Sequence, residues 1–337
     1  MQAENRNDWV HDTEGIIYSI AKLLKEHYVF PDIAKETARY LEHRLEGKDY
    51  EAIKNPETFS GQVTRDLQKI SNDKHLKLTY TAKAGSNDQV ISDKEQMEKR
   101  MLQARINNFG FHKVERLQGN IGYIDLREFH DPKFAAETAA SAMNLVANTE
   151  ALIFDLRNNG GGSPSMVAFL ISYLFDCAPF HLSSFYTRQN DFFSQAWTLS
   201  YVPGKRYGDN PIYVLTSRET FSGAEEFAYN LKNLQRATII GEATKGGANP
   251  GTVHQLTRNF SVFIPDGQAI NPITQTNWEG KGVTPDIQTT QGKALETAYA
   301  HALQHIMSSC SGSRNYQFLA KEAETRLEQL GIAVTEK

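Results

Sequence analysis

Between residues 110 and 242, short apolar runs alternate with segments of helical period, and that alternation limits the fold more than anything else in the chain. GNIGYIDL, ALIFDLR, PIYVLTS and ATIIGE have strand length and strand composition. Between them, PKFAAETAASAMNLVAN, SPSMVAFLISYLF and GAEEFAYNLKNL repeat apolar residues at helix spacing. ALIFD is apolar without alternation, as a strand covered on both faces must be. This order predicts an α/β domain with mostly parallel strands.

The flanks read differently. Ile16, Ile17, Ile20, Leu23 and Leu24 recur at helix spacing, and Pro31 disfavours helix in the residue before it. Further amphipathic runs carry Ala34, Ala38, Leu41 and Leu45, then Phe59, Val63 and Leu67. Residues 1–80 therefore read as an N-terminal helical bundle, 81–109 as a connecting helix and linker with a charged run from Ser92, 110–310 as the core, and 311–337 as a C-terminal helix. Residues 251–290 have the look of antiparallel strands and turns. The chain has 337 residues, 40% of them hydrophobic, enough for a large core without disulfides or metal.

Charge and cysteine content exclude several functions. A formal net charge of -4 recruits neither nucleic acid nor an anionic membrane surface. Cys177 and Cys310, the two cysteines, are too few for a cysteine zinc site, and no cofactor is implied. No run approaches the 18 apolar residues of a transmembrane span, and the polar N-terminus has no signal-peptide core. The compartment stays open between the cytoplasm and a mature secreted or periplasmic form.

Four features carry chemistry. Ser222 lies where the strand PIYVLTS runs through RETF into a helix. Its hydroxyl would sit by the unpaired N–H groups and positive end of that helix, where an oxyanion is favoured, with Gly223 as a main-chain donor. The plain alternative is an N-cap serine. DLRNNGGGS, residues 155–163, joins a buried strand to a helix, and three glycines allow positive φ and close backbone approach. It lacks the Lys-Ser/Thr of a P-loop and the glycine spacing of a dinucleotide fold. His75 stands where the bundle gives way to a strand, competing with His112, His130, His254 and the helical pair His301 and His305. That pair has the i, i+4 spacing of a zinc site without an adjacent glutamate and reads as an ordinary helix face. Glu279, between Trp278 and Gly280, is a loop carboxylate able to orient a histidine or simply to be solvated.

In sequence and order, NDKHLKL, GNIGYIDL, DLRNNGGGS, ETFSGAEEFA, IIGEATKGGANPG and NWEGKGVTPDI resemble the C-terminal processing (tail-specific) serine peptidase family. The resemblance is to the histidine-using branch with the tricorn protease core and the interphotoreceptor retinoid-binding protein modules. It spans about residues 12–290. It implies a crotonase- or ClpP-like β-β-α spiral core, here preceded by a helical bundle. The sequence between bundle and core shows no glycine-loop pattern or spare length for the PDZ domain that peptidases of this family often carry. It further implies Ser222 as nucleophile, His75 as general base, Glu279 behind it, and an oxyanion hole from Gly223 and one amide of Gly160, Gly161 and Gly162, with Gly161 the expected donor. The bacterial branch uses a lysine whose position here is Gly247; Lys245 falls two residues early. The tricorn-like enzymes carry a serine where Lys74 stands, which leaves the relay from Glu279 to His75 open.

The implied function is hydrolysis of a peptide or protein substrate by a serine-type peptidase. A carrier of apolar ligands is the rival, because FDCAPFHLSSFYTRQNDFFSQAW concentrates aromatics that suit a pocket, a substrate groove or plain packing. A homo-oligomer through the C-terminal helices is left open.

Overall fold

The computed structural model describes residues 12–82, 93–310 and 316–332. In chain order the elements are α1 (Thr13–His27), α2 (Pro31–Glu46), α3 (Pro56–Ser71), β1 (Lys77–Tyr80), α4 (Asp93–Ile106), β2 (Phe111–Leu117), β3 (Ile121–Leu126), α5 (Pro132–Val146) and β4 (Ala151–Asp155). There follow α6 (Pro164–Ser172), β5 (His181–Thr187), β6 (Phe192–Trp197), β7 (Ile212–Thr216), α7 (Gly223–Asn233), β8 (Thr238–Gly241), β9 (Gly251–Gln255), β10 (Phe260–Pro265) and β11 (Gly267–Ile270). The chain ends in β12 (Ile287–Gln288), α8 (Ala294–Cys310) and α9 (Gln317–Gln329). Ser92 lies outside the described residues. No helix among them is long and apolar enough to cross a membrane.

Two compact units result, and they do not follow the expected linear partition. The first comprises residues 1–89, 184–194 and 247–270; the second comprises 90–183, 195–246 and 271–337. In the first, α1 buries Ile16, Ile17, Ile20, Ala21 and Leu24, and Pro31 opens α2 at its first turn, where a missing N–H costs nothing. Asn55 caps α3 by accepting the Thr58 N–H at 2.7 Å. Asn72 ends that helix at φ 53°, a left-handed position asparagine tolerates. The sequence partition missed that this bundle is completed by distant chain: β1, β10 and β9 form an antiparallel sheet in that order. Phe260, Val262 and Ile264 alternate along β10 and join Ile17, Leu24, Leu41, Phe59 and Leu67 in one apolar core. Burial of each such side chain contributes about 1.5–3 kcal/mol.

The second unit holds a six-stranded sheet of order β12-β8-β7-β4-β3-β2. All neighbours are parallel except β2 on β3. Ile121, Tyr123, Ile153, Leu215 and Ile240 pack against α8 and α9 on one face. On the other face Phe154 meets Phe227 of α7 at 5.0 Å between ring centroids. Strand β4 is thus buried on both sides, as its unbroken apolar run requires. The antiparallel expectation holds for 251–270 but not beyond, where the only strand described is the two-residue β12, parallel to β8. The aromatic segment contributes β5 and β6. On β6, Phe192 and Phe193 are 57% and 60% exposed and do not serve as core, while Phe175 and Phe180, before β5, are half-buried against each other at 4.4 Å between ring centroids.

Candidate active site

The sheet places two loops side by side, because β4 and β7 are hydrogen-bonded parallel neighbours. Their C-terminal ends release the glycine run and the turn to Ser222, the edge of an α/β sheet where ligands collect. Asp155 closes β4 by accepting Arg157 Nε at 2.9 Å and Nη2 at 2.6 Å, while Tyr123 Oη donates to it at 2.7 Å. Burial, reinforced by the Asp155 charge, raises the Tyr123 phenol above its ordinary range and keeps it a donor. Ser217 Oγ donates to Arg157 O at 2.5 Å, Thr220 Oγ1 to Leu156 O at 2.8 Å, and Phe221 N–H to Asn159 O at 3.1 Å. The turn before Ser222 is therefore sewn onto the DLRNN segment.

Ser222 is the first residue outside α7 and has φ 53° and ψ -121°. No regular structure of L-residues uses that region, and holding a non-glycine residue there costs on the order of 1–3 kcal/mol. A strand-to-helix turn strained in this way lifts a serine hydroxyl clear of the sheet, as in nucleophile elbows. The strain is held by Glu225, fully buried, whose Oε2 accepts the Ser222 N–H at 2.8 Å. Its Oε1 accepts Thr244 Oγ1 at 2.5 Å and the Gly246 N–H at 2.7 Å. Gly246 O in turn accepts the Gly280 N–H at 3.0 Å, next to half-buried Glu279. One carboxylate thus links the Ser222 turn to the loop that carries Glu279. Glu225 escaped the sequence reading, although Ser-x-x-Glu at a helix start is a capping-box signal.

The glycine run lies against this turn. A Cβ on Gly161 would come to 2.8 Å from Ser222 Cβ, Phe221 O and Gly223 N, so only glycine fits. A Cβ on Gly223 would meet Gly162 O at 3.0 Å and Gly162 N at 3.1 Å. Ser222, Gly223, Gly161 and Gly162 are therefore brought together. The Gly161 N–H, however, does not face the serine as expected; it donates to Asn159 Oδ1 at 2.8 Å. Among the described residues, the N–H groups of Gly162 and Gly223 donate to nothing. Lys245 is exposed, with its Nζ 5.1 Å from the Phe221 ring centroid.

His75 belongs to the other unit, in the turn between α3 and β1. Its N–H donates to Asp73 Oδ1 at 3.0 Å, and its ring lies 5.6 Å from that of Phe263. Asp73 is buried and also accepts Tyr28 Oη at 3.2 Å and Asn249 Nδ2 at 3.0 Å. Burial raises its pKa against these hydrogen bonds. Asp73 was also passed over, although an Asx residue two before a bonded N–H is turn chemistry. Of the rival histidines, His254 stacks on His27 at 4.8 Å, His130 lies 3.2 Å from Glu128, and His112, His301 and His305 are exposed.

Glu226, one position past Glu225, is fully enclosed and has Ser183 Oγ at 3.4 Å. Burial pushes its pKa from 4.5 up to about 8. The folded state therefore keeps a proton that the unfolded chain releases near pH 4.5, so stability falls as pH rises from there to about 8. The full swing is on the order of 5 kcal/mol. Glu226→Gln should flatten it, so that urea midpoints at pH 5 and pH 8 converge; an unchanged difference would place the pH dependence elsewhere.

The model of peptidase family S41 matches residues 120–289, from the start of β3 through the glycine run, Ser222 and Glu279 to β12. The chain belongs to peptidase family S41. A second model, the N-terminal domain of S41 peptidases in eukaryotic IRBP, matches residues 10–114, which include His75. The chain is 28% identical over 180 residues to a carboxy-terminal-processing protease of Bartonella bacilliformis, covering 52% of this chain and 40% of that protein. It is 29% identical over 176 residues to the chloroplastic C-terminal processing peptidase of Tetradesmus obliquus, covering 50% and 35%. The chain thus spans two-fifths or less of the length of these curated S41 relatives. In fold it is similar to a putative peptidase from Parabacteroides merdae, with TM-score 0.58, 18% identity, and coverage of 86% of this chain and 96% of that one. It is also similar to the photosystem II D1 C-terminal processing protease, with TM-score 0.52, 14% identity, and coverage of 83% and 93%.

Proposed function

We propose that the chain is a serine peptidase that cleaves peptide bonds through an acyl-enzyme on Ser222, with His75 as general base. The observation that carries the reading is the strained φ and ψ of Ser222 at the head of α7, beside Gly161 and Gly162, where a Cβ would collide with neighbouring backbone. His75 takes the hydroxyl proton as Oγ attacks the peptide carbonyl. The oxyanion is received by main-chain N–H groups, Gly223 and one of the glycine run, each contributing about 2.7–4 kcal/mol in the transition state. Gly162 fits the second place better than Gly161, whose N–H is held by Asn159. The imidazolium then protonates the leaving amine, and water, activated by the same base, releases the acid. Glu279 orients the imidazole, directly or through water.

A fluorophosphonate probe tests the reading. It should phosphonylate Ser222, located by peptide mapping, and a protein substrate such as casein should slow the labelling. An unlabelled protein whose Trp197 fluorescence is quenched by apolar ligands would instead favour a carrier.

A further inference from the structure

We infer that Asn159 is a positioning residue that selects which amide of the glycine run faces the nucleophile. The inference rests on the serine-peptidase reading. Gly160, Gly161 and Gly162 have little conformational preference of their own, so their orientation has to be imposed from outside. Asn159 is fully buried and is bonded on every side. Its Nδ2 donates to Leu126 O at 2.9 Å, at the end of β3. Its Oδ1 accepts the Gly161 N–H at 2.8 Å, an Asx turn. Its main-chain O accepts the Phe221 N–H, one residue before the nucleophile. A single side chain therefore ties the glycine run to the sheet, and its backbone ties the same point to the Ser222 turn.

The consequence for Gly162 follows from strand geometry. Phe129 N–H donates to Gly161 O at 2.8 Å, and Ser163 N–H donates to Phe129 O at 2.6 Å, a parallel bridge centred on Gly162. In such a bridge the central residue turns its own N–H and C=O to the opposite edge. That edge of Gly162 faces Gly223. With the Gly161 N–H held inward by Asn159, the Gly162 and Gly223 amides are the donor pair presented beside Ser222. Without Oδ1, the Gly160–Gly161 peptide is free to rotate while the Gly161–Gly162 peptide keeps its bond from Phe129, so the Gly161 N–H can turn outward and compete with the Gly162 amide for the place beside Ser222.

The test compares Asn159→Ala and Asn159→Asp by the second-order rate of fluorophosphonate labelling at Ser222, with melting temperatures measured in parallel. Alanine removes the acceptor for Gly161 and should slow labelling 10²- to 10³-fold, the loss typical of one oxyanion donor. Aspartate keeps that acceptor and should stay within about tenfold of wild type, while melting lower than alanine because a carboxylate is buried against Leu126 O. Reactivity and stability should thus rank the two variants in opposite order, which a merely structural role does not produce. Asn159→Ser, which also offers a short acceptor, replaces aspartate if that variant does not fold, and should label faster than alanine. Alanine labelling at or above the wild-type rate, or rates that follow melting temperature, would overturn the inference while leaving the peptidase reading intact. Wild-type protein that takes no label would end both.

Discussion

Ser222→Ala should lose turnover by on the order of 10⁴-fold or more and still fold like the wild type. The chemical half follows from removing the group that carries the acyl intermediate in the proposed mechanism. Water attacking in its place keeps the help of the oxyanion donors, so a small residual rate above background is expected rather than none. The folding half follows from what alanine retains. The Glu225 carboxylate bonds the main-chain N–H of residue 222, not its side chain, so the turn keeps its anchor. An N-cap serine replaced by alanine costs about 1 kcal/mol, a change of a few degrees in melting temperature. Ser222→Gly makes the sharper comparison. It should be as inactive as alanine, yet more stable, because glycine adopts φ 53° without strain. Casein hydrolysis and thermal melts of the three proteins check both halves. Alanine protein with wild-type-like turnover would remove Ser222 from the reaction, and a glycine variant less stable than alanine would deny the strain.

The elements that make the sheet were legible because each obeys one local rule. ALIFD reads as doubly covered, and Ala151–Asp155 is buried throughout; GAEEFAYNLKN has helix period and begins where Ser222 caps it. What escaped was long-range. Nothing near Phe260 says that its strand closes a bundle whose helices ended almost 190 residues earlier, since β pairing leaves no mark on the partner's sequence. The same holds within the site. The residue types around Ser222 could be read, but not that the Asn159 amide, two positions away, would take the Gly161 N–H. That depends on side-chain geometry at a turn, which three glycines leave undetermined. The buried acids Asp73, Glu225 and Glu226 went unseen for a related reason: charged residues rarely lie inside, so composition argues against them until their partners are known.

His75→Ala should lower turnover by at least 10²- to 10⁴-fold, the range of a general base, whereas Lys245→Ala should stay near wild type. The two residues stand for the two ways of activating a serine. A lysine base has to be neutral at working pH, which requires removal from water. Lys245 is exposed, with its Nζ 5.1 Å from the Phe221 ring centroid, so nothing removes it from water. Histidine needs no such help, because an unperturbed imidazole titrates near pH 6.5. The alanine change at 75 should also be structurally mild. The bond that fixes this turn to Asp73 comes from the main-chain N–H of His75, and Gln68 Nε2 holds the carbonyls of Lys74 and Leu76 at 3.2 Å. A base that works only when deprotonated gives turnover that rises with pH through the imidazole range, and that limb should be absent from the residual activity of the alanine variant. Rates measured from pH 5 to 8 for wild type and both variants decide the matter. A flat wild-type profile, or a greater loss from Lys245→Ala than from His75→Ala, would move the base off position 75. In that event Ser222 would keep its role, because the case for the nucleophile rests on its own backbone and on the glycines packed against it.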